Sequence, residues 1–303
     1  MWPDGRTAPG EGGESRSRYE NPSARKACAG SSPAARTIVF EGYLNVTLFA
    51  TWCDSIRNDQ GRKRLWKFTE RAGGRDAIVD KLPDIVRSHY DDMERIATDV
   101  RELGFDGAAA LLAERLPRTA RARSGELGEL LATELVEEIL NFNVPVRRLR
   151  YKDGREMALR GDDIVGLRVD QAGALHLLKG EAKSRAALSK LTIVEARTAL
   201  SRDNGRPTAT SLLFIADRLM ESDDAQAALG RAIRNEVAAR TIPPDRIDHA
   251  LFTMSENAAP NALAVDLEAA SVDRTHTVVH LQIDGHQEFI KTTYEGALAL
   301  GDA

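Results

Sequence analysis

Residues 161–185 read GDDIVGLRVDQAGALHLLKGEAKSR, two short apolar runs around a polar turn, with acids where the first run opens and Glu-Ala-Lys where the second closes. The alternation and the turn residues predict a β-hairpin. If Gln171, Ala172 and Gly173 form its loop, residue 170 pairs with 174 and Asp163 falls opposite Glu181. Directly opposed carboxylates repel unless a cation sits between them. Glu181 and Lys183 are two apart, so on one strand they share a face and the ammonium lies beside the carboxylate pair. Two hard oxygen ligands on one small surface suit Mg²⁺, with Mn²⁺ an alternative, the remaining positions being filled by water. Such an ion activates water and polarises a phosphodiester, and the lysine can hold the attacking water or stabilise phosphate charge. The structural alternative is a plain salt bridge between strands. An acid-x-Lys triplet alone is a weak signal; its place at the end of an apolar strand, eighteen residues after Asp163, gives it weight.

A helix precedes the hairpin. In GELGELLATELVEEIL (125–140), Leu127, Leu131, Leu135 and Ile139 form the stripe expected to pack on the sheet, and Glu129 points away from it. Glu129 is thus either a further acid of the site or a solvated surface group. Glu134 and Glu138 lie nearer the stripe and are rivals.

The order helix acid, Asp, Glu-x-Lys, helix and strand, here Glu129, Asp163, Glu181 and Lys183, resembles the PD-(D/E)xK nucleases. GELGE is similar to the Gly-x-x-x-Glu helix of many of these enzymes and favours Glu129 over Glu126 or Glu134; GDDIVG is similar to their metal strand and favours Asp163 over Asp162. The resemblance covers roughly residues 120–220, and a literal Pro-Asp is absent. More narrowly, the helical front half with RSGELGE and GDDIVG…GEAKS looks like HamA, the nuclease subunit of the Hachiman anti-phage defence system. The resemblance implies an α/β, restriction-endonuclease-like fold, a mixed central sheet flanked by helices with a helical N-terminal region. It implies a metal-dependent DNase with Glu129, Asp163 and Glu181 as metal acids and Lys183 as the catalytic lysine. It also implies a helicase partner that restrains the nuclease until aberrant DNA is sensed. The alternatives are a catalytically silent module of the same fold that binds nucleic acid or a partner protein, and an RNase.

Around this core, Ser184 and Arg185 follow the motif and Lys190 opens the next helix, so these three are candidates for contacting substrate phosphate. Arg118, Arg121 and Arg123, then Arg147, Arg148, Arg150 and Lys152, border the site in sequence and supply the cations that phosphate positioning needs. Each of these arginines can equally pair with one of the chain's acids.

The rest of the chain sets bounds. Its 303 residues, 42% hydrophobic, allow a substantial core. The net charge of −4 excludes an overall basic nucleic-acid binder, so any contact uses a local patch and a partner is expected to deliver the substrate. Residues 1–36, rich in Gly, Ser, Pro and Arg, read as a flexible leader without the apolar core of a secretory signal. Together with the lack of long apolar runs, this predicts a cytoplasmic protein with no membrane contact. Cys28 and Cys53 read as a free thiol and a core thiol, the six histidines show no metal-ligand spacing, and no phosphate-binding or dinucleotide glycine motif occurs.

The expected organisation is a leader (1–36), a strand-plus-helix region (37–120) and a nuclease-like domain with C-terminal strand additions (121–303). TIVFEGYLNVTLFATWC (37–53) predicts one or two strands, and the pattern turns helical after RNDQGRKR. Val86, Tyr90, Met93, Ile96, Val100 and Leu103 predict a helical stripe ending at Gly104, with Pro83 separating off a shorter first helix, and FDGAAALLAERL a third helix. Further expectations are a strand at VRRLRYK (146–152), a helix at LSKLTIVEARTALSR (188–202) and a buried strand at TSLLFIA (210–216). An Ala-rich helix (222–240), a strand HALFTMS (249–255), and strands about Asp284 and Gly285 complete the reading.

Overall fold

The computed structural model describes residues 48–157 and 160–300, so the leader, Cys28 and residues 37–47 of the expected opening strands lie outside the described residues. In chain order the elements are α1 (Leu48–Trp52), β1 (Cys53–Gln60), β2 (Lys63–Glu70), α2 (Lys81–Tyr90), α3 (Met93–Arg115), α4 (Ala120–Glu138), β3 (Ile164–Val169), β4 (Leu175–Ser184), α5 (Lys190–Ser201), α6 (Ala209–Met220), α7 (Asp224–Ala239), β5 (Ile247–Ser255), α8 (Asn261–Ala269), β6 (His276–Gln282) and α9 (His286–Leu298). The strands form one mixed sheet in the order β1-β2-β6-β5-β4-β3. Four central strands run parallel, and the antiparallel edge strands β1 and β3 close the two sides. The expected mixed α/β fold is what is seen, and the sheet takes strands from both the 37–120 and 121–303 segments.

The hairpin register matches the sequence reading. Val169 pairs with Leu175 and Ile164 with Gly180, which continues to Asp163 beside Glu181. Alternation along β4 then splits the chemistry between faces. Leu178 and Ala182 pack on the larger core with Leu127, Leu131 and Leu135 of α4, while Leu177 joins Leu212, Ile215 and Leu219 of α6 on the opposite face. Lys179, Glu181 and Lys183 share that second face by parity.

Several local expectations are corrected. Leu48–Trp52 is helical rather than extended, and RNDQGRKR lies within a β-hairpin, β1 and β2 turning at Gly61. Hydrogen bonding to β6 makes β2 a strand despite its charged residues. Pro83 sits in the first turn of α2, where its missing N–H costs no helical bond. The break falls instead at Asp91 and Asp92: Asp91 is extended, and the Asp92 side chain accepts from Glu94 N–H at 2.9 Å to cap α3. Past that break Ile96 still packs in the larger core, but farther along the stripe loses its partner, leaving Leu103 55% exposed beside the left-handed Gly104. VRRLRYK folds into a single 3-10 turn, Arg148–Tyr151. TSLLFIA is part of α6, because Thr208 caps it and Leu212, Ile215, Ala216 and Leu219 bury one helical face. After β6 the chain turns at Gly285 (φ 60) into a helix, not a second strand, and α9 buries Phe289, Ile290, Thr293, Tyr294 and Ala297.

Candidate active site

The α4 helix starts after Pro117 with Thr119 accepting from Ala122 N–H at 3.3 Å. Its approach to the end of β4 depends on Gly128, where a Cβ would stand 3.1 Å from Ser184 Cβ. Two further bonds fix the junction: the Ser184 hydroxyl pairs with Ser124 Oγ and with His286 Nε2, both at 2.9 Å. With α4 held there and β3 at the sheet edge, Glu129 lines a pocket together with Asp163, Arg148, Thr133 and His89. The stripe of Leu127, Leu131 and Leu135 packs in the core as expected, and Glu129, half-buried, lines a pocket with Asp163, the residue before β3, rather than standing as a solvated surface group.

Asp163 is tied to the opposite strand by Ala182 N–H, which donates to its Oδ2 at 2.9 Å. Lys183 Nζ donates to Glu181 Oε1 at 2.5 Å. Burial raises the carboxyls of all three acids. Glu129 is pushed well up by burial and then by Asp163, Asp163 is raised by burial against the pull of Ala182 N–H and Lys183, and Glu181 rises to about 7 through burial and Asp163. Arg148 is held below its usual range by burial, offset by the charges of Glu129 and Asp163.

The rival acids are committed elsewhere. Glu126 accepts from Tyr90 Oη at 2.7 Å and from Lys152, Glu134 meets His89 Nε2 at 2.7 Å, and Glu138 accepts from Phe49 N–H at 3.2 Å. Asp162 takes the backbone and hydroxyl of Thr208 at 2.6 and 3.0 Å and faces Lys179 at 3.4 Å. These bonds leave Glu129 and Asp163 as the helix and strand acids that meet.

Of the substrate candidates, Arg185 and Lys190 are exposed, whereas Ser184 is 1% exposed with its hydroxyl spent on the junction. Among the basic residues, Arg147 pairs with Glu137 at 2.6 Å, Arg150 binds Ser88 O, Lys152 binds Glu126, and Arg123 lies over the Tyr294 ring. Arg118 faces Glu114 at 3.4 Å, and Arg121 is exposed. Arg148 lines the pocket with Glu129 and Asp163, and both carboxylates act on its charge. Lys179 and Arg202 were missed. Lys179 shares the parity of Glu181 and was legible in principle; Arg202 comes from the far end of α5, and no local pattern points to it.

The donor set is one that suits a hard divalent cation: carboxylates that raise one another's pKa, with Lys183 and Arg148 as the nearby cations. Among the described residues no group of three or more His, Cys, Asp or Glu side chains is arranged to hold a metal ion, so a cation would rely on two carboxylates and water. His89, His249, His276, His280 and His286 are buried and hydrogen-bonded, and His176 meets Asp170 at 3.1 Å. Cys53 is a buried free thiol raised to about 12 by burial. No helix among the described residues is long and apolar enough to cross a membrane.

Fold and site together define an α/β protein with a mixed sheet, whose edge hairpin carries a buried carboxylate cluster beside a lysine. The chain belongs to the HamA family, whose model matches residues 47–297. It is 30% identical over 105 residues to the Hachiman protein HamA of Bacillus cereus, a match covering 35% of this chain and 36% of that relative. The chain thus aligns with about a third of the relative's length.

Proposed function

We propose that this chain is a metal-dependent nuclease that hydrolyses phosphodiester bonds in DNA, as the effector of a Hachiman anti-phage defence system under the control of a helicase partner. One observation carries the reading: the hairpin sets Asp163 beside Glu181, with Lys183 on the same face and Glu129 meeting Asp163 at the sheet edge. Family membership supports the defence role. Asp163 and Glu181 would hold Mg²⁺ or Mn²⁺ with water completing the shell and Glu129 as a further acid beside Asp163, and the ion when bound supplies Lewis-acid polarisation of a phosphoryl oxygen and an acidified water. Lys183 would orient the attacking water or stabilise charge on the phosphate, and its bond to Glu181, which holds it beside the carboxylates, supports that role. Arg148 offsets the negative charge of Glu129 and Asp163.

The test is incubation of the purified chain with plasmid and linear DNA, with and without Mg²⁺ or Mn²⁺, and with the helicase partner and ATP. Metal-dependent degradation that Lys183→Ala and Glu181→Ala abolish is the expected result. Unchanged cleavage in both variants overturns the site.

A second reading, a catalytically silent module that binds nucleic acid or a partner, is favoured by the absence of a three-ligand metal cluster among the described residues. Absence of cleavage under every condition, RNA included, decides for it.

A further inference from the structure

The loop between α5 and α6 is built as a rigid support. Asp203, Asn204 and Gly205 take consecutive left-handed backbone conformations (φ 54, 57 and 72), each costing a non-glycine residue on the order of 1 kcal/mol. Buried cations hold the loop from beneath. Lys179 Nζ donates to Arg202 O at 2.9 Å and to Arg206 O at 3.0 Å. Arg274 donates to Gly205 O at 2.8 Å and Asn204 O at 3.2 Å, and His249 Nε2 donates to Gly205 O at 2.7 Å. Gly205 is required, since a Cβ there would lie 2.3 Å from Arg274 Nη1. Lys179 is 2% exposed and Arg274 6% exposed, and burying such charges is costly unless their hydrogen bonds are met. The molecule bears that cost to fix a short surface loop.

What the loop carries is Arg202. Lys179 stands two residues before Glu181 on β4 and projects from the same face, so its bond to Arg202 O hangs this residue beside the candidate site. Arg202 is exposed, and no hydrogen bond or ion pair to another described residue engages its guanidinium. Its charge nevertheless reaches Glu181, where it favours the ionised carboxylate, after the larger effects of burial, Asp163 and Lys183. A guanidinium stays charged and presents a planar fork that matches two phosphate oxygens.

We infer that Arg202 is a substrate-binding residue of this site, taking the phosphodiester of a nucleic-acid strand laid across Glu181 and Lys183, on a loop fixed by Lys179 and Arg274. The inference rests on the nuclease reading of the site. A phosphate contact carries no base information, so its effect is the same on any sequence.

The experiment measures binding of labelled short duplex DNA to the full chain by fluorescence anisotropy across a salt series. Ca²⁺ replaces Mg²⁺ in that series, and cleavage in Mg²⁺ is followed in parallel. Arg202→Ala is expected to weaken binding about tenfold and to lower the dependence on salt by about one counterion, with the thermal midpoint unchanged. Arg202→Lys, which keeps the charge but loses the fork, is expected to recover part of the affinity. Wild-type affinity and salt dependence in Arg202→Ala overturn the assignment. Arg202-dependent binding without cleavage in any metal overturns hydrolysis and leaves the binding residue standing. Cleavage by wild type and by Arg202→Ala at equal rate, with equal binding, does the reverse. No binding by wild type at any salt overturns Arg202 as a DNA-binding residue of this chain and leaves hydrolysis to the cleavage assay with the partner.

Discussion

The backbone N–H of Ala182 donates to Asp163 Oδ2 at 2.9 Å, which locks the acid opening one strand to the residue between Glu181 and Lys183 on the other. The bond gives one lone pair of Asp163 a partner, and no hydrogen bond to another described residue engages its other oxygen. Crowding of buried carboxylates there has consequences for stability that the cleavage assay does not read.

Glu181 rises from 4.5 to about 7, chiefly through burial and then through Asp163. The folded chain therefore holds this proton more tightly than the unfolded chain. Its contribution to stability is full below the unfolded value of 4.5 and is lost as pH rises through about 7. Glu181→Gln removes that loss. Its thermal midpoint relative to wild type is expected to climb between about pH 5 and pH 8 by an amount on the order of 3 kcal/mol. Midpoints that stay parallel across this range would mean that Glu181 ionises as freely in the folded chain as in the unfolded one.

A cation that binds only the folded chain stabilises it by mass action. At about tenfold excess over its dissociation constant, Mg²⁺ or Mn²⁺ is expected to add about 1.4 kcal/mol, a rise of a few degrees in the midpoint. Asp163→Asn and Glu181→Gln should each remove the rise. Calorimetric titration checks it, and an equal rise in both variants places the cation elsewhere.

Two acids one helical turn apart are expected to respond in opposite senses. Glu126 is paired with Lys152, at side-chain exposures of 10% and 5%, and with Tyr90. Glu126→Gln leaves that lysine unpaired and is expected to cost about 3 kcal/mol. Glu129, whose carboxyl burial pushes well up, loses an unfavourable charge on substitution. Glu129→Gln should therefore be at least as stable as wild type at about pH 8, while cleavage falls. Chemical denaturation of both variants reads the difference, and a loss of stability in Glu129→Gln counts against the placement of its side chain.

Gly128 lets α4 touch β4. Gly128→Ala gains about 1 kcal/mol of helix propensity against a 3.1 Å approach to Ser184 Cβ, and is expected to stay within about 1 kcal/mol of wild type. Gly128→Val overfills the contact and should cost about 1–3 kcal/mol, lowering cleavage with it because Glu129 moves with the helix. Equal stability of the two variants would show that the junction yields.

The sequence was most informative where the interaction is local. Hairpin register follows from alternation and from a turn in which Asp170 Oδ1 accepts from Ala172 and Ala174 N–H at 2.9 and 2.8 Å, so Asp163 and Glu181 could be paired by counting. The apolar run TSLLFIA misled because a buried helix and a buried strand are equally hydrophobic; the cap at Thr208 and the spacing of Leu212, Ile215 and Leu219 held the answer. VRRLRYK failed because a short run of mixed charge and branched residues carries no period long enough to decide, whereas after Gly285 the spacing of Phe289, Ile290, Thr293, Tyr294 and Ala297 held the helical answer.

By itself, then, the sequence determined the α/β class, the β3–β4 register and the face shared by Glu181 and Lys183, because strand pairing and side-chain alternation are set by neighbours along the chain. Only the tertiary structure showed where each helix acid is held. Glu126, Glu129 and Glu134 are indistinguishable as residues, and they are sorted by partners far away in sequence: Tyr90 and Lys152 take the first, His89 takes the third, and Glu129 is left to Asp163.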